Sequence, residues 1–343
     1  MSNADAKVVS FATPTWSADN VTIADVVEAV EELRRTNPKI ANRTSVATLI
    51  IVSRNPEELA IGNSVIEHLG VRHPARIITL FAPEGVGEGE DVVNAEVTLL
   101  AGEADGHPIW SDEIRLTVSG GPARHLASLL RPLQLADLPV VVWYVKGLPN
   151  EADPLLKLAN AVIVDTKTAS DPSAEGSEVM SKAIDAVAQL ARKNTIIDLS
   201  WHRLRTWRQL LAAQFNGTVY RPFIGHVESV DISGKLGPRT LLAGWVASRL
   251  KLDQTAVHTH DARHVSITMK CRDEEGRRAE FRVERVEGER LVRASASVDG
   301  GPHHEELLNL PDDATPSSVS ASLKRLERDR VYEQSIRLVG GWL

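Results

Sequence analysis

The feature that most constrains this chain is a set of short, nearly continuous apolar runs separated by helix-like segments. Thr44 to Val52 (TSVATLIIV), Ala75 to Phe81 (ARIITLF), Leu138 to Val145 (LPVVVWYV) and Ala161 to Asp165 (AVIVD) are strand-length and lack the alternation of a half-wet strand. Such runs belong to strands covered on both faces, the signature of a parallel sheet between helices. Asn55-Pro56-Glu57-Glu58 opens a helix between the first two, with proline in the first turn and acids at the positive end of the dipole. That helix stops at Leu69-Gly70. The strand–helix–strand order predicts a right-handed parallel crossover.

Around this centre the reading adds a polar leader over 1–20 and a first helix through Ile23, Val26, Val27, Val30 and Leu33, with Asp19 or Asn20 as its cap. Two alternating strands near 92–100 and 110–118 form a hairpin-like pair. Gly120-Gly121-Pro122 starts a helix running through Leu130, and another spans roughly 176–193. From Asp198 the pattern changes: Trp201, Leu204, Trp207, Leu210 and Leu211 share one helical face, with arginines on the other. A strand near 222–232, a helix from Arg239 to Leu250 and three alternating strands near 263–271, 279–286 and 290–298 follow. Those strands predict an antiparallel sheet with one wet face. A last amphipathic helix is expected from Ser318 to Leu338. The expected fold is an α/β domain over 21–195, with a mixed, mostly parallel sheet and flanking helices, then a smaller α+β domain over 196–343 with an antiparallel sheet.

The net charge of -7 removes any general attraction to nucleic acid or anionic membranes. No apolar run approaches the ~20 residues that cross a bilayer. The one cysteine, Cys271, forbids an intrachain disulfide and fits a reducing compartment, so the expected location is the cytoplasm. Cys271 falls on the apolar face of its strand and reads as buried and inert.

Motifs for chemistry are sparse. Gly85-Val86-Gly87-Glu88-Gly89 looks like a dinucleotide loop, but Glu84, Glu88, Glu90 and Asp91 would repel a pyrophosphate and no helix follows. Two helix starts could hold an anion: Gly120-Gly121-Pro122, and Gly237-Pro238 with Arg239 and Thr240. Capping turns have the same pattern. His258, His260, Asp261 and His264 have metal-like spacing but read better as solvated positions at a sheet edge, and His303-His304 as a polar loop. No metal or cofactor is expected. No G-x-S-x-G elbow, H-E-x-x-H helix or cysteine with a clear base partner occurs. Trp143 and Tyr144, adjacent on a strand, point to opposite faces, so either helices cover both or the strand end meets a ligand or a partner protein.

Four stretches together resemble one family. They are His73-Pro74-Ala75-Arg76-Ile77-Ile78, Leu138-Pro139-Val140-Val141-Val142-Trp143, Asp198-Leu199-Ser200-Trp201 with Thr206-Trp207-Arg208, and Leu241-Leu242-Ala243-Gly244-Trp245-Val246-Ala247-Ser248-Arg249-Leu250. In order and spacing they are similar to the OpcA family of bacterial glucose-6-phosphate dehydrogenase assembly proteins. The resemblance implies a non-catalytic protein that binds glucose-6-phosphate dehydrogenase, assists its assembly and raises its activity in the oxidative pentose phosphate pathway. The partner would then carry out the chemistry. Redox responses described for some members rest on cysteines, and with Cys271 alone no internal thiol switch carries over. The expectation for the contact is Trp143 and Tyr144. The alternative is a phosphosugar-binding enzyme or metabolite sensor using Gly237, Arg239 and Thr240.

Overall fold

The computed structural model of the chain describes residues 14–36, 45–69, 75–83, 89–104, 107–167, 177–312 and 314–342. Most of the glycine loop 85–89, His73-Pro74 and the stretch 168–176 lie outside the described residues. The fold has two compact units. One comprises Met1–Asp165, Lys193–Ile197 and Ala314–Glu327, and the other Thr166–Arg192, Asp198–Asp313 and Arg328–Leu343.

In chain order the first elements are β1 (Thr15–Ala18), α1 (Ile23–Arg35), β2 (Thr48–Ser53), α2 (Pro56–Leu69), β3 (Arg76–Phe81), β4 (Val92–Ala104) and β5 (His107–Ser119). Next come α3 (Gly121–Arg124), α4 (Leu126–Leu130), β6 (Val140–Tyr144), β7 (Ala161–Val164), α5 (Ser177–Lys193) and β8 (Ile196–Asp198). The strands form one sheet in the order β1-β4-β5-β3-β2-β6-β7-β8. β5, β3, β2, β6 and β7 are parallel neighbours, while β4 runs antiparallel to β5 and β1 antiparallel to β4. The four apolar runs are the central strands, and every residue of β2, β6 and β7 is buried. Because β3 lies on one side of β2 and β6 on the other, the winding reverses between β2 and β6.

Local details depart from the expected ones for identifiable reasons. The cap of α1 is Thr22, not Asp19 or Asn20, because Thr22 and Asp25 bond each other's backbone N–H in a capping box. Asn20 instead takes a left-handed turn at φ 52°. The helix expected from Gly120 to Leu130 is two short ones, broken at His125.

This unit also buries charge. Asp112 of β5 is 1% exposed and accepts from Arg76 Nε at 3.0 Å and Nη2 at 2.8 Å, and from Arg34 of α1. Arg76 Nη1 donates to the Leu133 carbonyl at 2.8 Å. Burial pushes the Asp112 carboxyl upward, but the two guanidinium groups outweigh it and hold it below the ordinary value.

The second unit holds α6 (Leu199–Arg203), α7 (Arg205–Ala213), β9 (Val227–Gly234), α8 (Leu236–Leu250), β10 (Val257–Asp261), β11 (Ser266–Arg272), β12 (Arg278–Arg285), β13 (Leu291–Val298) and β14 (His303–Asn309). Its sheet runs β10-β9-β11-β12-β13-β14, antiparallel except for the β10–β9 pair. The alternation is strict: Ile267, Met269, Cys271, Phe281, Val283, Val292, Ala294 and Ala296 are buried and their neighbours wetter. The single closing helix expected over 318–338 is α9 (Thr315–Ser322) and α10 (Arg330–Gly340), the second capped by Asp329. The first packs on α2 in the first unit, and α10 packs on α8 in the second. A methyl at Gly244 of α8 would overlap the Ser335 carbonyl of α10, so glycine permits that close approach. Among the described residues, no helix is long and apolar enough to cross a membrane.

Candidate functional site

The structure closes off Trp143 and Tyr144. They are 0% and 1% exposed on β6, between β2 and β7. A docking partner meets surface atoms, and neither ring supplies any, so the expected contact at this strand end is corrected. The pair carries polar tension instead: Trp143 Nε1 and Tyr144 Oη are buried without a hydrogen-bond partner. Burial, and then the nearby Asp153 carboxylate, push the Tyr144 phenol above its ordinary value, with Arg54 opposing, though no hydrogen bond of ordinary geometry forms.

At each anion candidate one donor is already bonded within the protein. Gly237, Arg239 and Thr240 lie inside the first turns of α8, which begins at Leu236. Arg239 Nη1 donates to the Gly234 carbonyl at 3.1 Å and to Asp261 Oδ1 at 2.9 Å, and Thr240 is 4% exposed. Gly237 packs against Met180. At the other start, Asp91 Oδ1 accepts from the Gly121 N–H at 2.6 Å, where a ligand would have to bind.

His258 and His260 stand on the edge strand β10, with His260 Nε2 3.6 Å from Asp231. Among the described residues no three His, Cys, Asp or Glu side chains gather as a metal site. His303 and His304 begin β14. The Cys271 thiol is buried and pushed up to about 12, by burial and then by Glu228, which leaves it a poor nucleophile.

The richest polar constellation lies in the second unit, where the Asp198-Leu199-Ser200-Trp201 stretch turns through α6 into α7. Asp198, 2% exposed, caps α6 by accepting from Ser200 N at 2.9 Å. It also accepts from Thr166 N and Oγ1 at 3.2 and 2.9 Å, and from the Tyr332 hydroxyl at 2.8 Å. Trp201 Nε1 donates to Asp329 Oδ2 at 2.8 Å, and its ring meets Tyr332 at 5.3 Å between centroids. Over that indole lies the Arg208 guanidinium, 3.4 Å from the centroid, with Nη2 donating to the Trp201 carbonyl at 3.2 Å.

This platform presents positive charge. Burial lowers the His202 imidazole, and Arg205, Arg208 and Arg203 lower it further. Burial likewise brings Arg208 down to about 10, with Asp329 opposing and Arg205 assisting. The sequence reading placed the arginines of this segment on a wet face and Trp201 in the core. What it missed is that Arg208 folds back onto Trp201. No helical period signals that contact, because Leu204 divides the chain into α6 and α7 between the two residues.

Two family models match the chain. Residues 67–181 match the N-terminal domain of the glucose-6-phosphate dehydrogenase subunit, and residues 194–336 match its C-terminal domain. The chain belongs to the OpcA family. Among curated relatives, it is similar to three named putative OxPP cycle protein OpcA. The one from Synechocystis sp. is 26% identical over 246 residues, covering 68% of this chain and 49% of the relative. The one from Nostoc punctiforme is 25% identical over 194 residues, covering 54% and 40%. The one from Synechococcus elongatus is 29% identical over 192 residues, covering 53% and 41%. The matched stretch thus spans less than half the length of these relatives. The α6–α7 platform of this OpcA-family chain falls within the C-terminal match.

Proposed function

We propose that this chain is a non-catalytic cytoplasmic partner of glucose-6-phosphate dehydrogenase that binds the enzyme, assists its assembly and raises its activity in the oxidative pentose phosphate pathway. The observation that carries the reading is the ordered pair of matches to the N- and C-terminal domains of that dehydrogenase's subunit. An activator of this kind works by binding one conformation of its target better than another, and its effect is bounded by that difference in affinity. With Trp143 and Tyr144 buried, docking draws on other parts of the surface.

The test is a dehydrogenase assay, using the enzyme from the same organism, with and without equimolar chain across glucose 6-phosphate concentrations. Size-exclusion chromatography of the mixture accompanies it. The expected result is co-elution, with a raised kcat or a lowered KM, and no turnover by the chain alone. Independent elution with an unchanged rate would end this reading.

A further inference from the structure

We propose that the α6–α7 turn is a binding site for a phosphate monoester dianion, held by His202, Arg205 and Arg208. The inference rests on the second unit alone and not on the dehydrogenase reading. His202 and Arg208 are half-buried and Arg205 is exposed, so the cluster is reachable from solvent.

The chain has an excess of acids, 46 against 39 Lys and Arg. Several arginines elsewhere find carboxylates: Arg76 meets Asp112, Arg239 meets Asp261, Arg272 meets Glu228, and Arg277 meets Asp273. Among the described residues, neither Arg205 nor His202 meets a carboxylate, and their electrostatic neighbours are Arg208 and, for His202, also Arg203. Arg208 has Asp329 nearby, yet its Nε is buried without a hydrogen-bond partner. Half-buried like charges oppose folding. A fold that keeps such a cluster within reach of solvent is prepared for an anion that completes the set.

The chemistry of the donors points to phosphate. Arg208 is fixed over Trp201, so its planar fork is oriented before any ligand arrives, and guanidinium forks match phosphate oxygens two at a time. Two arginine charges balance a dianion, whereas a carboxylate would leave one of them unmatched. His202, discouraged from protonation by its cationic neighbours, can take up a proton and add a third donor once the anion offsets them. α7 also begins at Arg205 with no acid in its first turn and no side-chain cap, so its positive end adds to the field.

The test titrates the full chain with inorganic phosphate at constant ionic strength, following heat and the His202 ring resonances. Glycerol 3-phosphate forms a second arm, and sodium acetate the control. Saturable binding of phosphate or glycerol 3-phosphate with a dissociation constant on the order of millimolar or tighter is expected, with His202 shifting toward its protonated form. The arms show whether a free or an esterified phosphoryl group is preferred, and either supports the proposal. Arg205→Ala, at an exposed position, should keep the fold and weaken binding about tenfold, the loss of one charge-assisted hydrogen bond. His202→Gln should weaken it less and abolish the proton uptake. No saturable binding, equal binding by acetate, or an unchanged affinity in Arg205→Ala would each overturn the assignment.

Discussion

The first unit buries the Asp112 carboxylate between Arg34 and Arg76, and the second half-buries Arg208 beside Arg205 and His202. Both are arginine clusters drawn from the water. In the first, the acid sits between the bases, receives five guanidinium hydrogen bonds, and holds its charge. In the second, the counter-charge is Asp329 on one side only, and it is already committed to Trp201 and the Tyr332 N–H. The difference separates a closed ion network, whose members all satisfy one another, from an open one with donor capacity left over. Closure serves the fold alone, while openness costs stability and leaves something to bind.

The contrast breaks most visibly at Asp112. Asp112→Asn leaves two guanidinium groups facing each other without an acid and should cost about 3–5 kcal/mol, read as a fall in the denaturant midpoint at unchanged m. The pH dependence has a definite sign. The folded-state pKa of Asp112 lies below its unfolded value, so its contribution is complete above the unfolded value of 3.8 and is lost as pH falls through the folded one. A flat acid profile in the wild type that matches Asp112→Asn would show that the network is not closed as described.

A smaller change tests how firmly the open platform is held. Tyr332→Phe removes one of the hydrogen bonds to Asp198 and should cost about 1–2 kcal/mol, measured by chemical denaturation. A negligible loss would mean that Asp198 is supported by Thr166 and Ser200 without it.

Arg205→Ala is the smallest and most telling, because the sign reverses. Removing a cation from a cluster of like charges should stabilise the protein by about 0.2–0.5 kcal/mol, the worth of a like-charge pair on a helix. It should also soften acid sensitivity. The folded-state pKa of His202 is depressed by burial and by Arg205, Arg208 and Arg203, so its contribution to stability is present above the unfolded value of 6.5 and is lost as pH falls. Without Arg205, that loss between neutral pH and pH 5 shrinks. A destabilised Arg205→Ala protein would reveal a hidden counter-charge and erase the difference between the two clusters.

The strands β2, β3, β6 and β7 were legible because residues covered on both faces are mostly apolar, and the run of such residues is the strand. β14 was not legible, because an edge strand with six of its seven residues exposed has no apolar alternation to read. The closing helix was read through a break, since the amphipathic period continues while Asp329 restarts the helix as a cap. The reading of Trp143 and Tyr144 contained both outcomes. Their apolar neighbours predicted burial, and the structure buries both rings.

Composition and periodicity by themselves determined the central strands and the class of each sheet. Those are local properties, set by which face of each element must leave water. Tertiary structure alone decided which charges are paired. Arg34, Arg76 and Asp112 come from three separate elements, and Asp329 influences Arg208 only because the chain before α10 returns to the second unit. Charge pairing depends on distances between residues far apart in the chain, and no pattern along the chain encodes those distances.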